Sequence, residues 1–256
     1  MKNLIIAALA AVTALSACQK NETPEKNFTL GKNNFITTVD GDSREYIVHV
    51  PAGYDGNSPV PVVFFLHGAS GSGEGSYISS GWKELAESEN IIAVFPTART
   101  YCYLEPNGTV KTQTRWNSLP GDYQFCADET PRDDIKFLRT IISELGLHFN
   151  VDSKRIYIAG FSSGAQMAFR CAIEMSDAIA AIVESGASHY ADTVFSPVRN
   201  LPITFQLGNA DETWLDGAPE IPMNFFDSLL NNYYVFKRII RNHTESFDFE
   251  STYTMS

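Results

Sequence analysis

Arg155-Ile-Tyr-Ile-Ala-Gly160-Phe-Ser162-Ser163-Gly164-Ala-Gln-Met-Ala-Phe169 is the stretch on which the fold turns. A short β-branched strand runs into Gly-x-Ser-x-Gly, and an amphipathic helix opens at Ser163. Two glycines and one serine make a weak signal alone. A strand before them and a helix after them place Ser162 at a tight elbow, its hydroxyl exposed above the edge of a sheet. The helix start aims backbone N–H groups and partial positive charge at the same point, which suits a developing oxyanion. Ser162 therefore reads as a nucleophile, with the N–H of Ser163 as one oxyanion donor.

Working outward, strand and helix patterns alternate from Val62 to Arg241. Val62-Val-Phe-Phe-Leu-His67-Gly68 is a continuous apolar strand suited to the middle of a sheet. A Gly-rich turn follows, then a helix through Trp82 and Leu85, then the strand Ile91-Ile-Ala-Val-Phe95. A helix is expected from Pro131 to about His148, with Asp133 and Asp134 in its first turn. There helix-end electrostatics is a better account of the two carboxylates than catalysis. Beyond the elbow helix come strands at Ile179-Ala-Ala-Ile-Val183 and Pro202-Ile-Thr-Phe-Gln-Leu207, and a helix over residues 224–241. Before Val62, residues 34–50 read as two strands joined at Asp40-Gly41-Asp42. This order predicts an α/β fold, a mostly parallel central sheet with helices on both faces. Sites in such sheets lie at the carboxyl ends of strands, where His67-Gly68, Ser162 and Asp211 all fall. Residues 97–130 are expected to be a long irregular loop.

A serine hydroxyl needs a histidine to take its proton and a carboxylate to hold that histidine. Asp211, following a strand through Gly208, is the natural acid. The second oxyanion donor is expected from the turn after His67-Gly68, at Ala69. His67 itself fits a role in shaping that turn better than the role of base. His243, in Arg241-Asn-His-Thr just beyond a helix, is the only histidine after Asp211. His189 reads as a loop residue, and His49 and His148 as structural.

With 256 residues and 44% hydrophobic content, the chain is long enough for one substantial core. A net charge of −11 without basic runs argues against nucleic acid and against docking on anionic lipid through charge. Residues 1–17 have the form of a signal peptide, with Lys2 ahead of an apolar run over residues 4–15. Leu15-Ser16-Ala17-Cys18 is similar to a bacterial lipobox, so Cys18 is expected to carry lipid, and residues 18–33 to form a flexible tether. The hydrolytic domain is expected over residues 34–256. Cys102 and Cys126 share one irregular region and can form a disulfide in an oxidising compartment. Cys171 reads as a buried filler. No cysteine has metal-ligand spacing with a histidine, and no metal site is expected.

The chain resembles the secreted esterase family that joins poly(3-hydroxybutyrate) depolymerases, feruloyl esterases and related carbohydrate esterases. The residues that carry the resemblance are Arg44-Glu-Tyr-Ile-Val-His-Val-Pro51, Phe65-Leu-His-Gly68, Trp82, Val94-Phe-Pro96 and Asp133-Asp134. Asn150-Val-Asp-Ser-Lys-Arg-Ile-Tyr157, Gly160-Phe-Ser-Ser-Gly-Ala-Gln-Met167 and Gly208-Asn-Ala-Asp211 continue it. The resemblance implies an α/β-hydrolase fold, ester hydrolysis through Ser162, an extracellular substrate and no cofactor. Feruloyl or acetyl esters of plant polysaccharide are the expected substrates, a polyester the alternative. Tyr101, Tyr103, Trp116 and Tyr123 stand open as stacking surfaces or as core. The family's Gly-His-x-Trp/Tyr-Pro stretch has no counterpart here. The last strand, the histidine loop and the closing helix are therefore expected to be missing and the catalytic base with them, His243 being the alternative as a substitute base. A surface lipoprotein that binds without turnover is the competing expectation.

Overall fold

The computed structural model describes residues 28–105, 107–118, 124–190, 193–211 and 233–250. The expected signal segment, Cys18 and Tyr123 lie outside these residues. A seven-stranded sheet forms the centre, in the order β1-β2-β4-β3-β8-β9-β10. β1 (Gly31–Val39) and β2 (Asp42–Val50) form an antiparallel hairpin closed by Asp40 and Gly41, both at positive φ (52° and 84°). Two successive left-handed residues match the twist of a two-residue hairpin. β2 pairs antiparallel with β4 (Ile92–Pro96). From there β3 (Val60–Leu66), β8 (Val151–Phe161), β9 (Ala181–Ser185) and β10 (Ile203–Gln206) extend the sheet in parallel.

Side-chain alternation on these strands builds a core on each face. Val62, Phe64, Ile156 and Ile158 pack with Phe137, Leu138 and Ile141 of α3 (Asp134–His148) and with Met167 and Phe169 of α4 (Ser163–Glu174). Val63, Phe95 and Ile47 face the other way, toward Ala86 and Trp82 of α2 (Trp82–Glu89) and Tyr77 of α1 (Gly73–Ser79). Both sheet faces are covered, as continuous apolar strands require. A further helix, α5 (Tyr234–Ser246), follows residues outside the description.

Four expectations change. The tether does not extend to residue 33: Phe28 packs on Tyr54 and Phe149, and β1 begins at Gly31. Residues 97–130 are not an irregular loop but carry a second, three-stranded antiparallel sheet. It comprises β5 (Arg99–Leu104), β6 (Val110–Arg115) and β7 (Gln124–Phe125), in the order β6-β5-β7. The Cys102–Cys126 disulfide crosses it, while Cys171 is a free, fully buried thiol on α4. α3 opens at Asp134 rather than Pro131, because Asp133 caps it by accepting from the Lys136 N–H at 3.0 Å. Asp134 lies wholly inside, paired with Arg44 at 2.7 Å and accepting from the Asn117 N–H at 2.8 Å. The fourth change concerns α5 and is taken up with the site.

Candidate active site

β8 delivers Ser162 in a backbone conformation (φ 53°, ψ −120°) that non-glycine residues rarely adopt. Strain of this kind persists only where the surroundings over-determine it. Here the Ser162 N–H donates to the Ser185 carbonyl at 2.9 Å, and its own carbonyl accepts from Ala165 and Gln166 in the first turn of α4. The two flanking glycines let that helix close onto the sheet. A Cβ on Gly160 would lie 2.1 Å from the Gly164 carbonyl oxygen, and one on Gly164 would lie 2.0 Å from that of Leu66. The half-buried Ser162 hydroxyl makes no hydrogen bond among the described residues.

The turn after β3 is held against the elbow from two sides. A Cβ on Gly68 would stand 3.3 Å from that of Ser162. Ser70, in the left-handed region (φ 63°), donates its N–H to the Thr114 carbonyl at 2.8 Å, and Trp116 Nε1 donates to the His67 carbonyl at 2.9 Å. β6 and the residue after it thus pin residues 67–70 through main-chain acceptors. Among the described residues, the Ala69 N–H meets no acceptor, and the Ser163 N–H, first in α4, has none within its helix. Among the described residues, both expected oxyanion donors are therefore uncommitted.

His67 is fixed inside this turn. Its Nδ1 pairs with the Gly68 carbonyl at 2.7 Å and its Nε2 with the Ala98 N–H at 3.0 Å. Those partners assign the proton to Nδ1 and leave no nitrogen for Ser162. Burial lowers its pKa and keeps the ring neutral. Asp211 closes a turn after β10, donating its N–H to the Gly208 carbonyl at 3.2 Å. The Gly186 N–H donates to the Gln206 carbonyl at 2.9 Å, which ties the end of β9 to β10. His67-Gly68, Ser162, Gly186 and Asp211 therefore follow four adjacent parallel strands along one rim.

His243 is where the structure departs furthest from expectation. It does not sit beyond a helix but inside α5, which continues to Ser246. The buried face of that helix is Phe236, Ile239, Asn242, His243 and Ser246, at helical spacing. Its Nδ1 donates to the Ile239 carbonyl at 2.7 Å, and its Nε2 meets Oε1 of Glu184, a fully buried residue of β9, at 3.0 Å. Burial alone pulls its pKa down, but the charge and hydrogen bond of Glu184 and the Ile239 carbonyl outweigh it and raise the pKa above the usual value. With Nδ1 held by the Ile239 carbonyl and Nε2 by the Glu184 carboxylate, neither ring nitrogen of His243 is open to the Ser162 proton. The remaining histidines are held elsewhere: His49 on Glu87 at 2.7 Å, His148 against Phe35, and His189 stacked on Phe169.

The loop aromatics among the described residues are core. Trp116, Tyr101 and Tyr103 are buried, and the Tyr101 hydroxyl accepts from the Arg132 N–H at 3.0 Å. The exposed aromatic at the site is instead Phe161, the variable residue of Gly-x-Ser, which sequence reasoning passed over. Its position in the motif was the available signal. Gly186 and Glu184 were also missed as site neighbours.

A doubly covered parallel sheet of this order, with a strained serine at the elbow between strand and helix, defines an α/β hydrolase. The phospholipase/carboxylesterase family model matches residues 55–213, and the chain belongs to that family. It is similar to feruloyl esterase B of Piromyces equi, with 30% identity over 172 residues, 66% of this chain and 29% of that protein. Feruloyl esterase D of Neurospora crassa is 25% identical over 199 residues, 73% of this chain and 61% of that protein. The chain thus spans less than two thirds of either relative. Among solved structures, a thermostable esterase superposes with a TM-score of 0.53 at 20% identity, over 83% of this chain and 52% of the other.

Proposed function

We propose that this chain is an extracytoplasmic serine esterase acting on carboxylic esters, first among them feruloyl or acetyl esters of plant polysaccharide. One observation carries the reading: Ser162 is held strained with its hydroxyl unbonded among the described residues, and the N–H groups of Ser163 and of Ala69 in the adjoining turn are uncommitted there. Ser162 Oγ adds to the ester carbonyl carbon, its proton passing to a base, and the oxyanion accepts from those two N–H groups. Collapse breaks the bond to the alcohol oxygen, which takes the proton and leaves. Water then adds to the acyl-serine, the acid departs, and Ser162 regains its proton. Asp211, on the same rim, is the acid that would orient a histidine base, a place His243 does not take in this structure. The names of the two feruloyl esterases support the acyl class, and a polyhydroxyalkanoate ester offers the same bond. The lipobox at Cys18 supports a bacterial cell envelope location, anchored by lipid.

The engagement of His243 with Glu184 and Ile239 favours a second reading, a surface protein that keeps the pocket and binds without turnover. Intact mass after a fluorophosphonate probe separates the two, measured on the membrane-extracted chain beside Ser162→Ala. Such a probe reacts only with an activated serine. One adduct in the wild type, absent from Ser162→Ala, is expected. A folded wild type without an adduct overturns the esterase and leaves the binding protein. The same spectrum reads the lipid on Cys18.

A further inference from the structure

Phe161 takes no part in the chemistry above, yet it is held with unusual care. It is 53% exposed at the end of a strand whose residues 158–160 are buried. Its ring lies between glycines from both flanking strands. A Cβ on Gly68, after β3, would stand 3.3 Å from Cδ1, and one on Gly186, after β9, would stand 3.1 Å from Cε2. Gly186 is also at φ +69°, where a side chain is disfavoured in any case. The ring is clamped in place one residue from the nucleophile, with half of its surface open.

That open surface walls a cleft of about 440 Å³, faced across by Ala69, Ser72, Ser76 and Ser79. The volume suits a small ligand or one unit of a larger one. Among the described residues no Asp, Glu, Lys or Arg lines it, and His67, the one titratable residue among those that do, has both nitrogens engaged. The facing hydroxyls have capacity to spare. Ser72 Oγ accepts from the Gly75 N–H at 3.1 Å and keeps its proton to donate; Ser79 Oγ gives its proton to the Gly75 carbonyl at 2.8 Å and keeps its lone pairs.

We propose that this cleft is the subsite for the alcohol half of the ester and that it takes a neutral sugar ring. The C–H face of the sugar lies on Phe161, and its hydroxyls meet Ser72 and Ser79. A charged group would find no counter-charge among the described lining residues, and an alkyl chain would leave unused the hydrogen-bonding capacity that Ser72 and Ser79 keep. A sugar has one apolar face and a polar rim, which matches both walls. The assignment to the alcohol half rests on the esterase reading; the sugar cleft itself does not.

The test is an NMR titration of the full chain with xylotriose, a neutral oligosaccharide without an ester, beside trigalacturonic acid. Wild type is expected to bind xylotriose and not the acid. Phe161→Ala weakens xylotriose binding by about five-fold, as the loss of one ring contact should. Phe161→Tyr keeps the ring and binds as wild type does. No binding of xylotriose, equal binding by wild type and Phe161→Ala, or a loss in Phe161→Tyr matching that in Phe161→Ala would each overturn the subsite. Fluorophosphonate labelling of the same wild-type sample separates the two failures. An adduct without sugar binding leaves the esterase standing and removes the cleft. Ring-dependent sugar binding without an adduct removes the esterase and keeps a sugar-binding cleft.

Discussion

Replacing Gly164 by alanine sets two opposed effects against each other, and the structure fixes which wins. Gly164 is the second residue of α4, and alanine is better than glycine in a helix by about 1 kcal/mol. Its new Cβ, however, would stand 2.0 Å from the Leu66 carbonyl oxygen and 2.7 Å from that of His67. An ordinary carbon–oxygen contact needs about 3.3 Å, so α4 must retreat from β3 by about 1.3 Å. Residues 167–172 of that helix are buried in the core, so the retreat opens packing along its length. Overpacking costs of this kind reach about 3 kcal/mol, which leaves a net loss of about 2 kcal/mol. Gly146 in α3 is the control: it is helical and exposed, and nothing lies within 4 Å of its added Cβ. Gly146→Ala should gain about 0.5–1 kcal/mol. Thermal melts read the difference at roughly 2–4 °C per kcal/mol for a chain of this size, down for Gly164→Ala and up for Gly146→Ala. A Gly164→Ala protein as stable as Gly146→Ala would refute the claim that glycine is present for backbone clearance.

Two further predictions concern buried charge. Asp134→Ala strands Arg44, whose side chain is only 2% exposed, and should cost about 3–5 kcal/mol in urea unfolding; a loss below about 1 kcal/mol would contradict the pairing. The His243–Glu184 pair gives a pH signature with a definite sign. Because the folded pKa of His243 is raised, its contribution is fully present below the ordinary value of 6.5 and is lost as pH rises through the folded value. Glu184→Gln should therefore destabilise most near pH 6, by about 3 kcal/mol, with the gap narrowing by pH 9. A gap that widened with pH would show that His243 is neutral in the fold.

The parallel sheet was legible because continuous apolar strands such as Val62-Val-Phe-Phe-Leu66 have few other uses, and the elbow because its glycines punctuate a strand and a helix. The small sheet was not legible. β7 has two residues, and its ladder to β5 joins positions 20 and 22 apart, so no local pattern marks it. The reach of α5 was missed for a different reason. Its last turn is buried through hydrogen bonds rather than apolar contact: Asn242 Nδ2 donates to the His189 carbonyl at 3.1 Å, and Ser246 Oγ accepts from the Phe195 N–H at 3.0 Å. Hydrophobic periodicity is blind to a face buried by polar partners. Glu184, a charge inside a buried strand, could be understood only once His243 was seen opposite it. The same blindness assigned His243 to the chemistry, since a histidine near the end of an apparent helix looks available.

The grip of the small sheet on residues 67–70 relies largely on carbonyl oxygens of His67 and Thr114, which every amino acid supplies, with one side-chain bond from Gln113 Nε2 to Ser70 Oγ at 2.7 Å. Substitutions that keep the path of β6, Gln113 and Trp116 should leave this turn intact, so the exposed side chains at 110–112 can change without disturbing it. Homologues diverging in substrate should accumulate changes on that outer surface without retuning the nucleophile. For protein engineering, the exposed side chains at 110–112 are accordingly a place to graft new recognition groups, on a strand whose C-terminal half holds residues 67–70.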